Sequence, residues 1–275
     1  MPGYLSVPYD DLGALERCLA QHGPRVAGFM LEPIQGEAGV IVPSVGYLSG
    51  AKALCERHNV LFIADEVQTG LCRTGRMLAV DHEAVRPDIL LLGKALSGGA
   101  YPVSAILADS SVMLVIRPGQ HGSTYGGNPL ACAVAAEALR VLLDEDLAAN
   151  AQARGKEVRA ALRALARRLP AGAVVDVRGR GLLNAIELRA GARDAAGRPL
   201  SAWQLCVGLK DAQARHGAPR GLLAKPTHGT VIRFAPPLVI TQAQVAEAME
   251  TIERVLCDMF DGRGRPTEAE EEAAH

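Results

Sequence analysis

Lysine is scarce in this sequence. Five occur, Lys52, Lys94, Lys156, Lys210 and Lys225, among 29 basic residues in a chain of 275. Excess charge of either sign is lacking as well. The formal net charge is -1, which implies no general attraction to nucleic acid or to an anionic membrane surface. The six cysteines (Cys18, Cys55, Cys72, Cys132, Cys206, Cys257) form no C-x-x-C, and no histidine pair has zinc-site spacing. No metal site is expected, and the thiols read as buried groups of a reducing compartment. No segment is long and apolar enough for a bilayer-spanning helix. Residues 1–30 hold neither a long apolar run nor an Arg/Ser-rich amphipathic start, so no targeting segment is expected in them. No internal repeat is present. G-x-G-x-x-G is absent too: Arg178-Gly-Arg-Gly-Leu-Leu183 has only its first two glycines, and a tight bend is the reading there.

What is present is an alternation of short apolar runs and helical runs. Residues 10–22 carry Leu12, Leu15 and Leu19 on one helical face, with Asp10 or Asp11 as cap. Strands are expected over 26–31, 60–64, 88–92 and 103–107, with a helix over 45–59 between the first two. This pattern predicts a parallel α/β sheet. After residue 129 the character changes. Two Ala/Leu/Arg-rich helices (129–143, 147–169) precede strands at 174–177 and 181–188, a helix over 203–215, strands at 222–225 and 231–235, and a last helix capped by Thr241. The expected organisation is a large-domain portion over 1–139, a small α+β domain over 140–260, and a disordered tail over 261–275.

Ligands of such sheets bind outside the carboxyl ends of the strands. Glu32, Asp65 and Lys94 all lie just past those ends. Lys94 follows Ile89-Leu-Leu-Leu92 and precedes Gly98-Gly99. An amine desolvated there would be neutral and nucleophilic, as a Schiff-base lysine requires. A phosphate-binding loop is the competing reading. Its G-x-x-x-x-G-K-[ST] pattern fails, because Asp88 and Ala95 stand at the first Gly and the Ser/Thr. A lysine Schiff base points to pyridoxal phosphate, whose ring nitrogen must stay protonated beside a carboxylate. Asp65 is the candidate; the alternative is a helix cap. Gln68 could reach the ring hydroxyl or complete that cap. Ser123 and Thr124 could donate to a phosphate or form a turn. Arg233, in an apolar strand, needs a carboxylate partner. That partner is a substrate carboxylate or an internal one such as Glu37.

Five segments in order carry a family resemblance. They are Glu32-Pro-Ile-Gln-Gly-Glu-Ala-Gly39, Ala64-Asp-Glu-Val-Gln-Thr-Gly70, Arg73-Thr-Gly-Arg76, Leu92-Gly-Lys-Ala-Leu-Ser-Gly-Gly99 and Gly122-Ser-Thr-Tyr-Gly-Gly-Asn-Pro129. Together they resemble the class-III pyridoxal-phosphate aminotransferases. Val85-Arg-Pro-Asp-Ile89, Tyr101-Pro-Val-Ser104 and Gly221-Leu-Leu-Ala-Lys-Pro-Thr-His-Gly229, leading into Val231-Ile-Arg-Phe-Ala-Pro-Pro237, are most similar to the ornithine aminotransferases among them. The resemblance implies part of a fold type I large domain plus the small domain, in a homodimer with a shared active site. It implies Lys94 as Schiff-base lysine and proton shuttle, Asp65 on the pyridine nitrogen and Gln68 on the ring hydroxyl. Thr124, beside Ser123, would bind the phosphate of the partner subunit's cofactor. Arg233 would hold the carboxylate of glutamate or 2-oxoglutarate, Glu37 would cover Arg233 when ornithine is bound, and Glu32 would shape the space around Lys94. The implied location is the mitochondrial matrix in an animal and the cytoplasm otherwise. Other class-III ω-aminotransferases, acting on acetylornithine or 4-aminobutyrate, share most of these residues. The family's N-terminal part, with its phosphate loop and ring-stacking aromatic, has no counterpart in the sequence, so a catalytically incomplete chain is also expected to fit. His216-Gly-Ala-Pro-Arg220 and the acidic tail are further departures.

Overall fold

The computed structural model describes residues 3–261. The tail expected from 261 onward therefore lies, after its first position, outside the described residues. The chain divides into two units, one of Met1–Gly36 and Val42–Ala149, the other of Glu37–Ile41 and Asn150–His275.

The first unit opens with helix α1 (Leu12–His22). Of the two candidate caps, Asp11 takes the role, accepting from the Ala14 N–H at 2.8 Å. Asp10, at φ 64°, turns its carboxylate to Ser44 instead. Strands β1 (Gly28–Leu31), β2 (Leu61–Asp65), β3 (Ile89–Leu92) and β4 (Ala105–Ala108) form a sheet in that order, with helix α2 (Tyr47–Arg57) between the first two strands. β1, β2 and β3 pair in parallel. β4 runs antiparallel to β3, which the expectation of a parallel sheet did not include. The connection explains it: residues 93–104 hold only the short 3-10 turn Lys94–Ser97 and two left-handed glycines, Gly98 and Gly99. A parallel return needs a crossover, usually a helix, that carries the chain back to the start of the sheet, and these residues form none. β3 is mostly half-buried rather than buried, with Leu92 its one buried residue. Phe62 on β2, fully buried, sits in the core with Leu15, Leu19, Leu48 and Leu54 from the two helices. Asp88 fixes the entry to β3, taking the Phe62 N–H at 2.7 Å and Lys52 Nζ at 2.9 Å.

The helices α3 (Ser110–Met113) and α4 (Pro129–Asp144) complete this unit. α4 packs on the Lys94–Ser97 turn: a Cβ added to Gly98 would lie 3.3 Å from Ala138. That packing keeps α4 with the first unit.

Helix α5 (Leu147–Arg168) leads into the second unit. Its sheet contains β5 (Val174–Arg180), β6 (Leu183–Leu188), β7 (Lys225–His228) and β8 (Val231–Phe234), all antiparallel, in the order β5-β6-β8-β7. β7 lies later than the strand expected at 222–225. It is an edge strand, where a proline is tolerated. The helix expected over 203–215 divides at Asp211 into α6 (Ala202–Lys210) and α7 (Ala212–His216). α8 (Gln242–Asp261) starts at Thr241 as expected, in a reciprocal cap: Gln244 N–H donates to Thr241 Oγ1, and Thr241 N–H to Gln244 Oε1. Ile186, Ile232, Leu205, Leu209 and Val255 join sheet and helices in one core. No helix among the described residues is long and apolar enough to cross a membrane.

Candidate active site

The first unit gathers four of the expected residues at the carboxyl end of its parallel strands. Asp65 is the last residue of β2 and pairs in register with Leu91 on β3; Lys94 follows three residues later. Asp65 does not cap a helix, because a turn and no α-helix follows β2. One of its carboxylate oxygens accepts from the Val67 N–H at 3.1 Å, and the other accepts no hydrogen bond from the described residues. Lys94 holds φ 43°, a left-handed conformation that costs a non-glycine residue about 1 kcal/mol or more and gathers at functional sites. Its amine has no ion-pair or hydrogen-bond partner among the described residues. The expected desolvation is not found: Lys94 is exposed. Gly93 and the left-handed turn carry it past the last buried positions of the strand.

Gln68 lies against Gly36, where an added Cβ would come within 2.5 Å of Gln68 Oε1. A side chain at residue 36 would require the end of Gln68 to move. Glu32 does not face solvent idly; its Oε2 accepts from the Gly36 N–H at 2.9 Å and so closes the 32–36 turn. Tyr9 supports the same turn through the Glu32 and Pro33 carbonyls, at 3.1 and 3.0 Å. Glu66, which sequence reasoning did not single out, is a buried carboxylate behind this edge. It accepts from Thr69 Oγ1 and, at 2.8 Å, from the Val80 N–H. Burial pushes its carboxyl above the ordinary value, and these hydrogen bonds oppose the rise. It ties the loop bearing Asp65 and Gln68 to residues 79–80. A lone acidic residue after Asp65 gave no signal beyond its place in the motif.

In the second unit the register lines up Arg178 on β5, Ala185 on β6, Arg233 on β8 and Lys225 on β7 in one row across the sheet. Paired residues share a face, so three cations stand on one side. Glu37 meets two of them. Its Oε1 accepts from Arg233 Nη1 at 2.8 Å, and its Oε2 from Lys225 Nζ at 2.8 Å. The Lys225 hydrogen bond, followed by that of Arg233, holds the Glu37 carboxyl at about 2, against an ordinary 4.5. The partner sought for Arg233 is thus internal in this structure. The contact of Lys225 with Glu37 has no sequence signal beyond the alternation of β7 and β8. Ser123 and Thr124 lie in an exposed loop. Ser123 Oγ accepts from the Gly126 N–H at 2.8 Å, the turn that was the competing reading. Among the described residues no cluster of His, Cys, Asp and Glu could hold a metal ion.

The family model for class-III aminotransferases matches residues 8–256. The chain belongs to that family. Mitochondrial ornithine aminotransferase from Rattus norvegicus is 57% identical over 256 residues, which are 93% of this chain and 54% of that protein. Its Drosophila melanogaster counterpart is 54% identical over 259 residues, 94% and 55% of the two chains. Among solved structures, the ornithine aminotransferase of Toxoplasma gondii, with PLP at partial occupancy in its active site, gives a TM-score of 0.87 at 48% identity. It aligns with 96% of this chain and 58% of its own. Acetylornithine aminotransferase from Elizabethkingia anophelis gives 0.85 at 51% identity, over 94% and 60% of the two chains. This class-III aminotransferase chain therefore spans about half the length of the curated relatives it matches.

Proposed function

We propose that this class-III aminotransferase chain carries the cofactor-lysine portion of an ornithine δ-aminotransferase. The reaction is transfer of the δ-amino group of L-ornithine to 2-oxoglutarate, giving glutamate 5-semialdehyde and glutamate. The observation that carries the reading is the 2.8 Å pair between Glu37 and Arg233. A guanidinium covered by a carboxylate offers nothing to the carboxylate of an incoming diamine, whereas an uncovered one binds a 2-oxo acid by its fork geometry. One residue pair thereby serves both substrates and selects which amine of ornithine reacts.

The residues present suit pyridoxal phosphate: at the ends of adjacent strands stand the Lys94 amine and an Asp65 oxygen, neither with a partner among the described residues. When bound, that cofactor supplies an aldehyde and an electron-withdrawing ring. Lys94 would be the residue that holds the cofactor, and its amine would serve as the base and acid that moves the substrate's proton. Asp65 would keep the ring nitrogen protonated; opposite charges at about 4 Å attract by roughly 4 kcal/mol at an effective dielectric near 20. Gln68 would bond the ring hydroxyl, and Thr124, with Ser123, would bind the phosphate of a partner subunit's cofactor in a homodimer. Glu32 acts by fixing the turn ahead of Glu37. The relatives named mitochondrial support a mitochondrial location.

The similarity to the acetylornithine enzyme favours a second reading, with N-acetylornithine as donor. Turnover of the two donors with 2-oxoglutarate distinguishes them. Ornithine is expected to be preferred; preference for the acetylated donor would replace the first reading by the second. Cofactor binding with turnover of neither would mark the chain as catalytically incomplete.

A further inference from the structure

The Glu37–Ile41 segment lies on the cationic row of the second unit, and its hold is not made by Arg233 and Lys225 alone. Arg178 Nε donates to the Gly39 carbonyl at 2.9 Å. Its Nη1 donates to Asp176 at 2.9 Å and to Glu187 at 2.7 Å. The guanidinium is therefore fixed on one side by two carboxylates of its own sheet, and its remaining edge grips the backbone two residues beyond Glu37. Gly39, at φ +115°, seats directly on it: an added Cβ would lie 3.3 Å from Arg178 Nη2 and 3.5 Å from Val231. Next to it, Val40 is fully buried and held at φ 56°, a left-handed conformation that a β-branched residue adopts only under constraint. The segment is thus anchored just beyond an exposed Glu37 side chain. Ala185, between Arg178 and Arg233 in the row, brings no side chain that could reach the segment instead.

We propose that Arg178 is a positioning residue for amine selection: by gripping the Gly39 carbonyl it sets Glu37 over Arg233 and so keeps Arg233 covered. This rests on the reading of Glu37 and Arg233 given above. Arg178 acts through the backbone that carries Glu37. Loosening the grip uncovers Arg233 more often. A carboxylate ligand of Arg233 should then bind more tightly, while ornithine loses ground to substrates that present a carboxylate there.

The test is calorimetric titration of the full chain with glutarate, a dicarboxylate without an amine. R178K keeps a charge between Asp176 and Glu187, but a single ammonium cannot also reproduce the Nε contact. It is expected to bind glutarate roughly three- to tenfold more tightly, as for loss of one ordinary hydrogen bond restraining the competitor. E37Q should tighten binding at least as much, and R178K/E37Q no further than E37Q alone. R178M/D176N/E187Q, which removes the three charges together, should repeat the R178K result. General loosening of the fold would weaken glutarate binding, not tighten it. The proposal is overturned if R178K binds glutarate like the unchanged chain while E37Q binds more tightly, or if the R178K and E37Q effects add. If E37Q does not tighten binding, the reading of Glu37 as the cover of Arg233 fails, and the proposal falls with it.

Discussion

Replacing Lys225 by methionine tests how the selecting carboxylate is held. Glu37 faces two cations, Lys225 and Arg233, each at 2.8 Å. Together they bring its carboxyl from 4.5 to about 2, with the Lys225 hydrogen bond first in size. An opposite charge within hydrogen-bonding reach lowers a carboxyl by about one to three pH units. The Glu37 side chain is 56% exposed, so solvent screening puts its share at the low end. K225M should therefore raise the Glu37 midpoint by about one pH unit, to about 3. The sign follows from linkage. A carboxyl depressed in the folded state stabilises above its unfolded value of 4.5, and that contribution is lost as pH falls toward 2. In K225M the loss is complete at a higher pH. Carbon-detected NMR of chain labelled at the glutamate carboxyls reads the midpoint, with E37Q assigning the signal. An unchanged midpoint in K225M, or a native midpoint near 4.5, would refute the two-cation account.

Two further outcomes follow from packing and burial. Alanine at a helical glycine normally gains about 1 kcal/mol, yet a Cβ at Gly155 would stand 1.7 Å from the Gly181 carbonyl oxygen. G155A should therefore lower stability by about 1–3 kcal/mol in urea unfolding; a stabilised variant would show that α5 does not pack there as described. Among the thiols, Cys132 is exposed, whereas burial pushes Cys55 and Cys206 up to about 11. At pH 8 a disulfide reagent should modify Cys132 first and reach Cys55 and Cys206 only as the chain unfolds. Equal rates for Cys55 and Cys132 in the folded chain would contradict the burial.

The parallel strands and most helices were legible because apolar periodicity and caps are local signals, as Asp11 and Thr241 show. The reversal into β4 was not, since a run such as residues 103–107 reads the same in either direction and only the preceding connection decides it. The strand expected at 222–225 forms later, at Lys225–His228, because the edge position that admits Pro226 is a property of the finished sheet. The motifs located Lys94, Asp65 and Gln68 along the chain, but the exposure of Lys94 depends on what covers the strand ends. The grouping of Lys225 and Arg178 with Arg233 was not legible because it lies in cross-strand register: they join Arg233 only when four strands align.

The most direct test mixes the purified chain with pyridoxal phosphate, records its visible absorbance before and after L-ornithine, and repeats this with Lys94→Ala. The account predicts a bound-cofactor band that depends on Lys94 and disappears when ornithine is added. A band identical in the Lys94→Ala chain, or one that ornithine leaves unchanged, would contradict it.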